Sequence, residues 1–242
     1  MKISFVIPAY NEEALIGKCL LSVQQEIARV RAPGSNLEIE VVVVNNASSD
    51  HTKEIAQSFV GVRVVDEMHK GLVRARKAGF NATDGELIAN IDADTMLPPG
   101  WLNEVMSEFQ NDSALVALSG PFIYYDLPFS KRMFVRPWYF LGWLFLGFRI
   151  QGGNFVIRRD AWERVGGFDT SIEFYGEDAD VAKRLKKAGK VTWSWKLPIY
   201  ASGRRLKGEG IFKTSFNYGA NLVWVGISGR PVTKKHADIR HQ

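Results

Sequence analysis

The chain has 242 residues, 46% of them hydrophobic, and 31 Lys and Arg against 26 Asp and Glu give a formal charge of +5. That length suffices for one large core or two small domains, and the composition is that of an ordinary folded protein. The single Cys19 excludes an intrachain disulfide. The basic residues are interspersed with acids rather than gathered in a stripe, which argues against a nucleic-acid partner.

The first half alternates strands and helices. Residues 3–7 (ISFVI) read as a short buried strand, after which Asn11 offers a helix cap with Glu12 and Glu13 in the first turn. Ile16, Leu20, Val23 and Ile27 follow at helical spacing, with Cys19 on the apolar side as a buried thiol. Residues 39–44 (IEVVVV) form a β-branched run suited to a strand covered on both faces. Asp50 or Thr52 is the expected cap of a short helix through Phe59. A strand at 62–65, a helix at 71–82 and a strand at 87–91 follow, the last ending at Asp92. Pro98 and Pro99 open a helix carrying Trp101, Val105 and Phe109, and 114–118 is a fifth strand.

The second half is less regular. Residues 154–159 predict a strand, DAWERVGG a short helix with a glycine stop, and Asp178 starts a helix with Val181, Leu185 and Ala188 inward. Residues 191–195 alternate, placing Val191, Trp193 and Trp195 on one face. No linker stands out near 120–150. The expectation is one domain over 1–242: α/β, a Rossmann-like α/β/α sandwich with a mostly parallel central sheet.

In such sheets ligands bind beyond the carboxyl ends of the strands. Polar clusters fall at those ends: Pro8–Glu13, Asn45–Asp50, Glu67–Lys70 and Asp92–Asp94. Four clusters at equivalent places predict one shared site. Two close carboxylates at Asp92 and Asp94 repel, and a divalent cation relieves that cost. Mg²⁺ and Mn²⁺ favour oxygen ligands and commonly complete their shells with water or phosphate. Alternatively, Asp92 caps a turn and Asp94 faces solvent. No G-x-G-x-x-G follows the first strand, so a nicotinamide cofactor is not expected, and no P-loop is present.

Lys70, Arg74 and Arg76 bring positive charge to the third helix, and Lys70, just past a strand, is placed for phosphate or sugar contact. Glu177, Asp178 and Asp180 crowd one helix start, where a cap needs only one acid. Asp178 is the candidate general base and Glu177 a residue that orients the acceptor. Arg204 and Arg205, in the glycine-bounded run SGRRLKGEG, predict a basic loop able to close over a diphosphate.

These residues together resemble family 2 glycosyltransferases, whose catalytic domain has the GT-A fold. The matching pieces are FVIPAYNEE, VVVVNNASSDHT, KGLVRARKAGFNATDGELIANIDADT, GGNFVIRRDAWERVGGFD and YGEDADVAKRLKKAGK, from residue 5 to about 190. The resemblance implies inverting transfer of a sugar from a UDP- or GDP-linked donor, with Mn²⁺ or Mg²⁺. It makes 1–118 the nucleotide-sugar-binding half and 119–242 the acceptor half with the C-terminal segment. Pro8, Ala9, Tyr10 and Glu12 would line the nucleotide pocket, and Lys70 and Arg74 would lie near the donor. Asn46 stands where relatives often hold a base-binding Asp, a departure that weakens any choice of uracil over guanine. Asp92, Ala93 and Asp94 match the D-x-D motif, with Asp94 on the metal and Asp92 on ribose or a metal-bound water. Asp178 matches the catalytic base of the "ED" motif, and Arg204 and Arg205 a basic loop of some bacterial members. His236 and His241 are candidates for a third metal ligand.

The Q-x-x-R-W motif of processive synthases is missing, which favours single-sugar transfer. The acceptor is expected to be a glycan, a small molecule or a lipid-linked compound. The run Trp138–Phe148 carries six aromatics without a charge and is bracketed by Arg136 and Arg149. It is a core helix, a protein contact or a surface touching the membrane. It falls short of the roughly 20 apolar residues of a spanning helix. Without a signal peptide in the N-terminal run, the expected location is the cytoplasm or the inner face of the cell membrane. The competing functions are a nucleotidyltransferase or pyrophosphorylase, whose glycine- and arginine-rich loop PAYNEE does not supply, and a non-catalytic nucleotide-sugar-binding module.

Overall fold

The computed structural model describes residues 1–31, 36–128, 150–172 and 176–210, together with 130, 133, 137 and positions 213, 214, 216, 217, 219–221 and 224. The run Trp138–Phe148 and the histidines at 236 and 241 lie outside the described residues.

Among the described residues seven strands form the main sheet: β1 (Lys2–Ala9), β2 (Glu38–Asn45), β3 (Val62–Asp66), β4 (Leu87–Ile91), β6 (Leu115–Ser119), β8 (Asn154–Arg158) and β9 (Lys190–Trp193). Their order is β3-β2-β1-β4-β8-β6-β9. Four of the six pairings are parallel, and β8 runs antiparallel between β4 and β6. The mostly parallel sheet expected from the sequence is present, and β8, from the second half of the chain, is built directly onto β4 of the first.

The layers follow from alternation along the strands. Ile3, Phe5 and Ile7 of β1 and Val41 and Val43 of β2 face a core with α1 (Ile16–Val30), α2 (Thr52–Gln57) and α4 (Trp101–Asn111). Val6, Val42 and Val44 face the other way, against α3 (Leu72–Asn81), α5 (Arg159–Arg164) and α6 (Glu177–Leu185). A strand covered on both faces must be apolar at every position, which is why β1 and β2 read as continuous runs. Phe80 anchors the second core, with its ring centroid 4.9 Å from that of Phe168 and 5.1 Å from that of Trp162.

A small second sheet was not foreseen. It joins β5 (Thr95–Met96), β10 (Ile199–Ala201) and β7 (Phe122–Tyr124) in the order β5-β10-β7. Strands of two or three residues carry too little pattern to read in a sequence, and this sheet brings the segment after β10 beside Asp94: the Ser202 N–H donates to the Asp94 carbonyl at 3.1 Å.

Three local expectations are corrected. Asn11 does not cap α1. It has φ +50° in a turn, the helix starts at Ile16, and Glu12 and Glu13 precede it. The α2 helix ends at Gln57, two residues short of Phe59, with Asp50 accepting from the Thr52 N–H at 3.0 Å. The last main-sheet strand ends at Trp193, so Trp195 leaves the sheet and is 44% exposed, its ring edge-on to Trp193.

Candidate active site

The loops after β1 and β2 are stitched together. The Asn11 N–H donates to Ser48 Oγ at 3.1 Å, that of Glu12 to Thr52 Oγ1 at 2.7 Å, and that of Glu13 to Asp50 Oδ2 at 3.1 Å. In return, Asn11 Oδ1 accepts from the Ser49 N–H at 2.9 Å and Glu13 Oε2 from that of His51 at 3.0 Å. The short polar residues of both clusters are spent on fixing two neighbouring strand ends. Pro8 and Ala9 close β1 as buried residues, and Tyr10 lies just beyond them. Lys70 Nζ sits 3.9 Å from the centre of the Tyr10 ring, a cation–π contact between the loops after β3 and β1.

The two asparagines ending β2 turn inward. Asn45 Nδ2 donates to Asp66 at 2.8 Å. Asn46, only 3% exposed, donates to the carbonyls of Glu67 and His69 and accepts from the Gly71 N–H. Arg74 lies exposed on α3.

At the end of β4 the acids meet two arginines. Asp92 Oδ1 accepts from Arg76 Nη2 at 3.1 Å, and Arg76 Nη1 donates to Glu177 Oε1 at the start of α6. Arg76 is 1% exposed. Asp94, two residues on, pairs with Arg204 at 3.1 Å, and the same guanidinium binds the buried carboxylate of Glu12. Ala93 is buried between the two aspartates.

Five carboxylates (Glu12, Asp92, Asp94, Glu177 and Asp178) thus adjoin two guanidiniums. Burial pushes Asp94 up to about 7; the Arg204 charge opposes the rise, and Glu12 and Asp92 add to it. Glu177 is likewise pushed to about 7 by burial and by Asp178, against the pull of Arg76. Burial also raises Asp178, opposed by Arg76 and by the N–H groups of Ala179 and Gly152. The excess negative charge around Asp94 suits a divalent cation. Among the described residues no three His, Cys, Asp or Glu side chains gather as a metal cage. A cation here would have Asp94 and Asp92 as its protein ligands, with phosphate and water completing the shell.

Two glycines let the backbone approach this cluster. A Cβ on Gly153 would lie 2.2 Å from Asp92 Oδ2, and one on Gly152 would lie 3.2 Å from Glu177 Oε1. The segment expected as a flexible basic loop is instead a short helix, α7 (Arg204–Gly208). Arg204 enters the site, while Arg205 pairs with Glu209 at 3.0 Å. Asp180, the third acid of its cluster, binds Arg184 one turn along α6 and so explains itself structurally.

Arg76 is the residue the sequence reading passed over as a site member. Its signal was present: with Val73 and Phe80 it occupies the apolar stripe of α3, where a charge needs buried partners.

The sequence profile of Glycosyl transferase family 2 matches residues 4–166. The chain belongs to that family. A second profile, described as the N-terminal domain of galactosyltransferase, matches residues 141–200 and so takes in the glycine pair and the Glu177–Asp178 start of α6. Among curated relatives, the probable glycosyltransferase YdaM of Bacillus subtilis is 27% identical over 81% of this chain and 52% of its own length. Glycosyltransferase AglE of Haloferax volcanii is 28% identical over 94% of this chain and 75% of its own. The match to the putative glycosyltransferase EpsH of Bacillus subtilis, 27% identical, covers 47% of this chain and 32% of that relative.

Solved structures match the fold at lower identity. Staphylococcus aureus TarS 1–349 superposes with a TM-score of 0.65 at 18% identity, over 97% of this chain and 67% of that one. Mycobacterium tuberculosis glucosyl-3-phosphoglycerate synthase, solved with Mn²⁺, UDP and phosphoglyceric acid, gives 0.65 at 20% identity, over 96% and 80%. The fold of this family member is accordingly of the GT-A type.

Proposed function

We propose that this glycosyl transferase family 2 chain moves a sugar, with inversion, from a nucleoside diphosphate sugar to an acceptor hydroxyl. The observation that carries the reading is the Arg76 bridge. It draws the Asp92–Asp94 pair at the end of β4 and the Glu177–Asp178 pair at the start of α6 into one cluster. Donor-side acids and a candidate base then border one site, in which an inverting displacement needs the base across the sugar from the departing diphosphate.

Residues 1–118 supply the donor side. Glu12, Asp92, Asp94 and Lys70 surround the place for nucleotide and diphosphate, and residues from 119 onward supply the acceptor side. A Mn²⁺ or Mg²⁺ ion on Asp94 and Asp92 would neutralise charge on the departing diphosphate. Arg204, beside Asp94, is positioned to donate forked hydrogen bonds to the same oxygens. Asp178 accepts the acceptor's proton, and its raised proton affinity makes it a stronger base than an ordinary aspartate. Glu177, held by Arg76, fixes the start of the helix that presents Asp178. Inversion needs no covalent protein intermediate.

The donor is UDP- or GDP-linked. Support comes from relatives of the same fold solved with UDP-GlcNAc, and with GDP-Man and Mn²⁺. The acceptor is a glycan, a small molecule or a lipid-linked hydroxyl, the last supported by a 29% identical dolichyl-phosphate beta-glucosyltransferase of Trichomonas vaginalis that matches 55% of this chain. Among the described residues no helix is long and apolar enough to cross a membrane. The proposed location is the cytoplasm or its membrane face, with Trp138–Phe148 as the contact.

The test is Asp178→Asn. Donor nucleotide should bind as in the wild type while transfer falls about 10²- to 10⁴-fold. Retained turnover would remove Asp178 from the role of base.

A further inference from the structure

We propose that Asn46 is a positioning residue of the donor site, holding the backbone that carries Lys70, and that it does not read the nucleobase. The inference rests on the reading that the chain binds a nucleoside diphosphate sugar. The Asn46 carboxamide is committed at each polar atom. Its Nδ2 donates to the Glu67 carbonyl at 3.0 Å and the His69 carbonyl at 2.9 Å, and its Oδ1 accepts from the Gly71 N–H at 2.7 Å. Its own N–H donates to the Ala9 carbonyl at 2.8 Å. A carboxamide has two N–H donors, and both are spent within one five-residue stretch.

That stretch is the whole connection between β3, which ends at Asp66, and α3, which begins at Leu72. It is pinned further by the Glu67 N–H on the Asn45 carbonyl at 2.9 Å. Lys70 lies inside it, exposed, with its ammonium over Tyr10 on the loop after β1. One buried amide at the end of β2 thereby sets the position of a cation at the mouth of the site. To donate to a base edge, Asn46 would have to release the loop; what is left is the second lone pair of Oδ1, on a residue only 3% exposed.

The chemistry also explains why an amide stands here. A carboxylate would turn a second oxygen toward two carbonyl oxygens, replacing two attractive contacts by repulsion. Asn46→Asp changes one heavy atom and separates the two roles. If Asn46 only orders the loop, the substitution weakens the anchoring of Lys70 and leaves base preference alone. If it reads the base, the preference itself moves.

The experiment is calorimetric titration of UDP and GDP, with Mn²⁺ present, into wild type, Asn46→Asp, Lys70→Met and the double variant, each with a wild-type circular dichroism spectrum. The preferred nucleotide is expected to bind Asn46→Asp about ten- to a hundred-fold more weakly. Lys70→Met should lose a similar factor, and the double variant no more than about threefold beyond the weaker single one, because both changes remove the same cation. The UDP-to-GDP affinity ratio should stay within about threefold of wild type. Unchanged affinity in Asn46→Asp, a reversed base preference, or fully additive losses would overturn the proposal. Failure of the wild type to bind either nucleotide would remove the donor reading, and this proposal with it. If Asn46→Asp does not fold, hydrogen exchange of the wild type decides. The Gly71 amide should be protected without nucleotide, and free exchange there overturns the clamp.

Discussion

Arg76 and Glu177, 101 residues apart in sequence, form a buried ion pair whose side chains are 1% and 9% exposed. The same guanidinium binds Asp92 on its other side. A buried arginine with a carboxylate on each side is costly to desolvate and is tolerated because both partners are in place. The arrangement locks α3, the end of β4 and the start of α6 into one unit.

Removing that charge should be expensive. Arg76→Met leaves Asp92 and Glu177 facing each other without compensation, and breaking such a pair costs about 3–5 kcal/mol. Urea unfolding should show the midpoint falling with little change in slope. Arg76→Lys keeps the charge but cannot span two carboxylates with a planar fork, so its loss should be intermediate. A wild-type midpoint in Arg76→Met would mean that the pair contributes nothing net.

The same pair sets a pH dependence. A general base must be ionised, and burial raises Asp178 while Arg76 holds it down. The acid limb of kcat/KM is therefore expected above the ordinary carboxylate range, with activity lost as pH falls through the raised value. Removing the Arg76 charge lifts that opposition, so Arg76→Met should move the limb to still higher pH. A pH–rate profile of the two proteins checks the sign, and a limb moving to lower pH would contradict it.

The glycine pair gives a contrast between neighbours. Gly153→Ala would drive a methyl to 2.2 Å from Asp92 Oδ2 and 2.5 Å from its Cγ, so Asp92 must move. At Gly152 the nearest atom is Glu177 Oε1 at 3.2 Å, which asks for a shift of a few tenths of an ångström. Gly153→Ala should lower stability by about 1–3 kcal/mol and weaken Mn²⁺-dependent nucleotide binding at least tenfold. Gly152→Ala should leave nucleotide binding within about threefold. Calorimetry on both variants decides, and equal effects would argue against the Asp92 contact as the cause.

The sheet was legible because its physics is local. Runs such as VVVV in β2 need apolar residues on both faces, and strand ends carried the polar clusters. The acids at 92, 94, 177 and 178 were legible as types in a pattern. The bridge between them was not, because Arg76 finds its partners by tertiary contact, though its place on the apolar stripe of α3 was a readable sign. Asn46 shows the converse. Its position suggested a ligand group, and only the path of the loop from Glu67 to Gly71 reveals where its hydrogen bonds go. The β5-β10-β7 sheet and the helix holding Arg204 rest on segments too short for periodicity to register.

That helix has its own anchor in Asp126. Its carboxylate accepts from the Gly203 N–H at 2.6 Å, Ser202 Oγ at 3.0 Å and Lys207 Nζ at 3.0 Å. Burial would push the group up, yet the Gly203 N–H, Lys207 and Ser202 together hold it below the usual carboxylate range. A depressed folded-state value means that the ionised form stabilises the fold above the unfolded value, and that this contribution fades as pH falls through the folded one. Asp126→Asn should thus cost about 1 kcal/mol at pH 7, with the gap to wild type closing in acid. Because the anchor holds the turn that delivers Arg204 to Asp94 and Glu12, donor KM should rise several-fold while kcat changes less. Lys207→Met, which removes one exposed partner and leaves the Gly203 and Ser202 bonds, should have no more than a small effect. Equal losses in the two variants would show that the lysine, rather than the carboxylate's hold on the Ser202–Gly203 turn, keeps Arg204 in place.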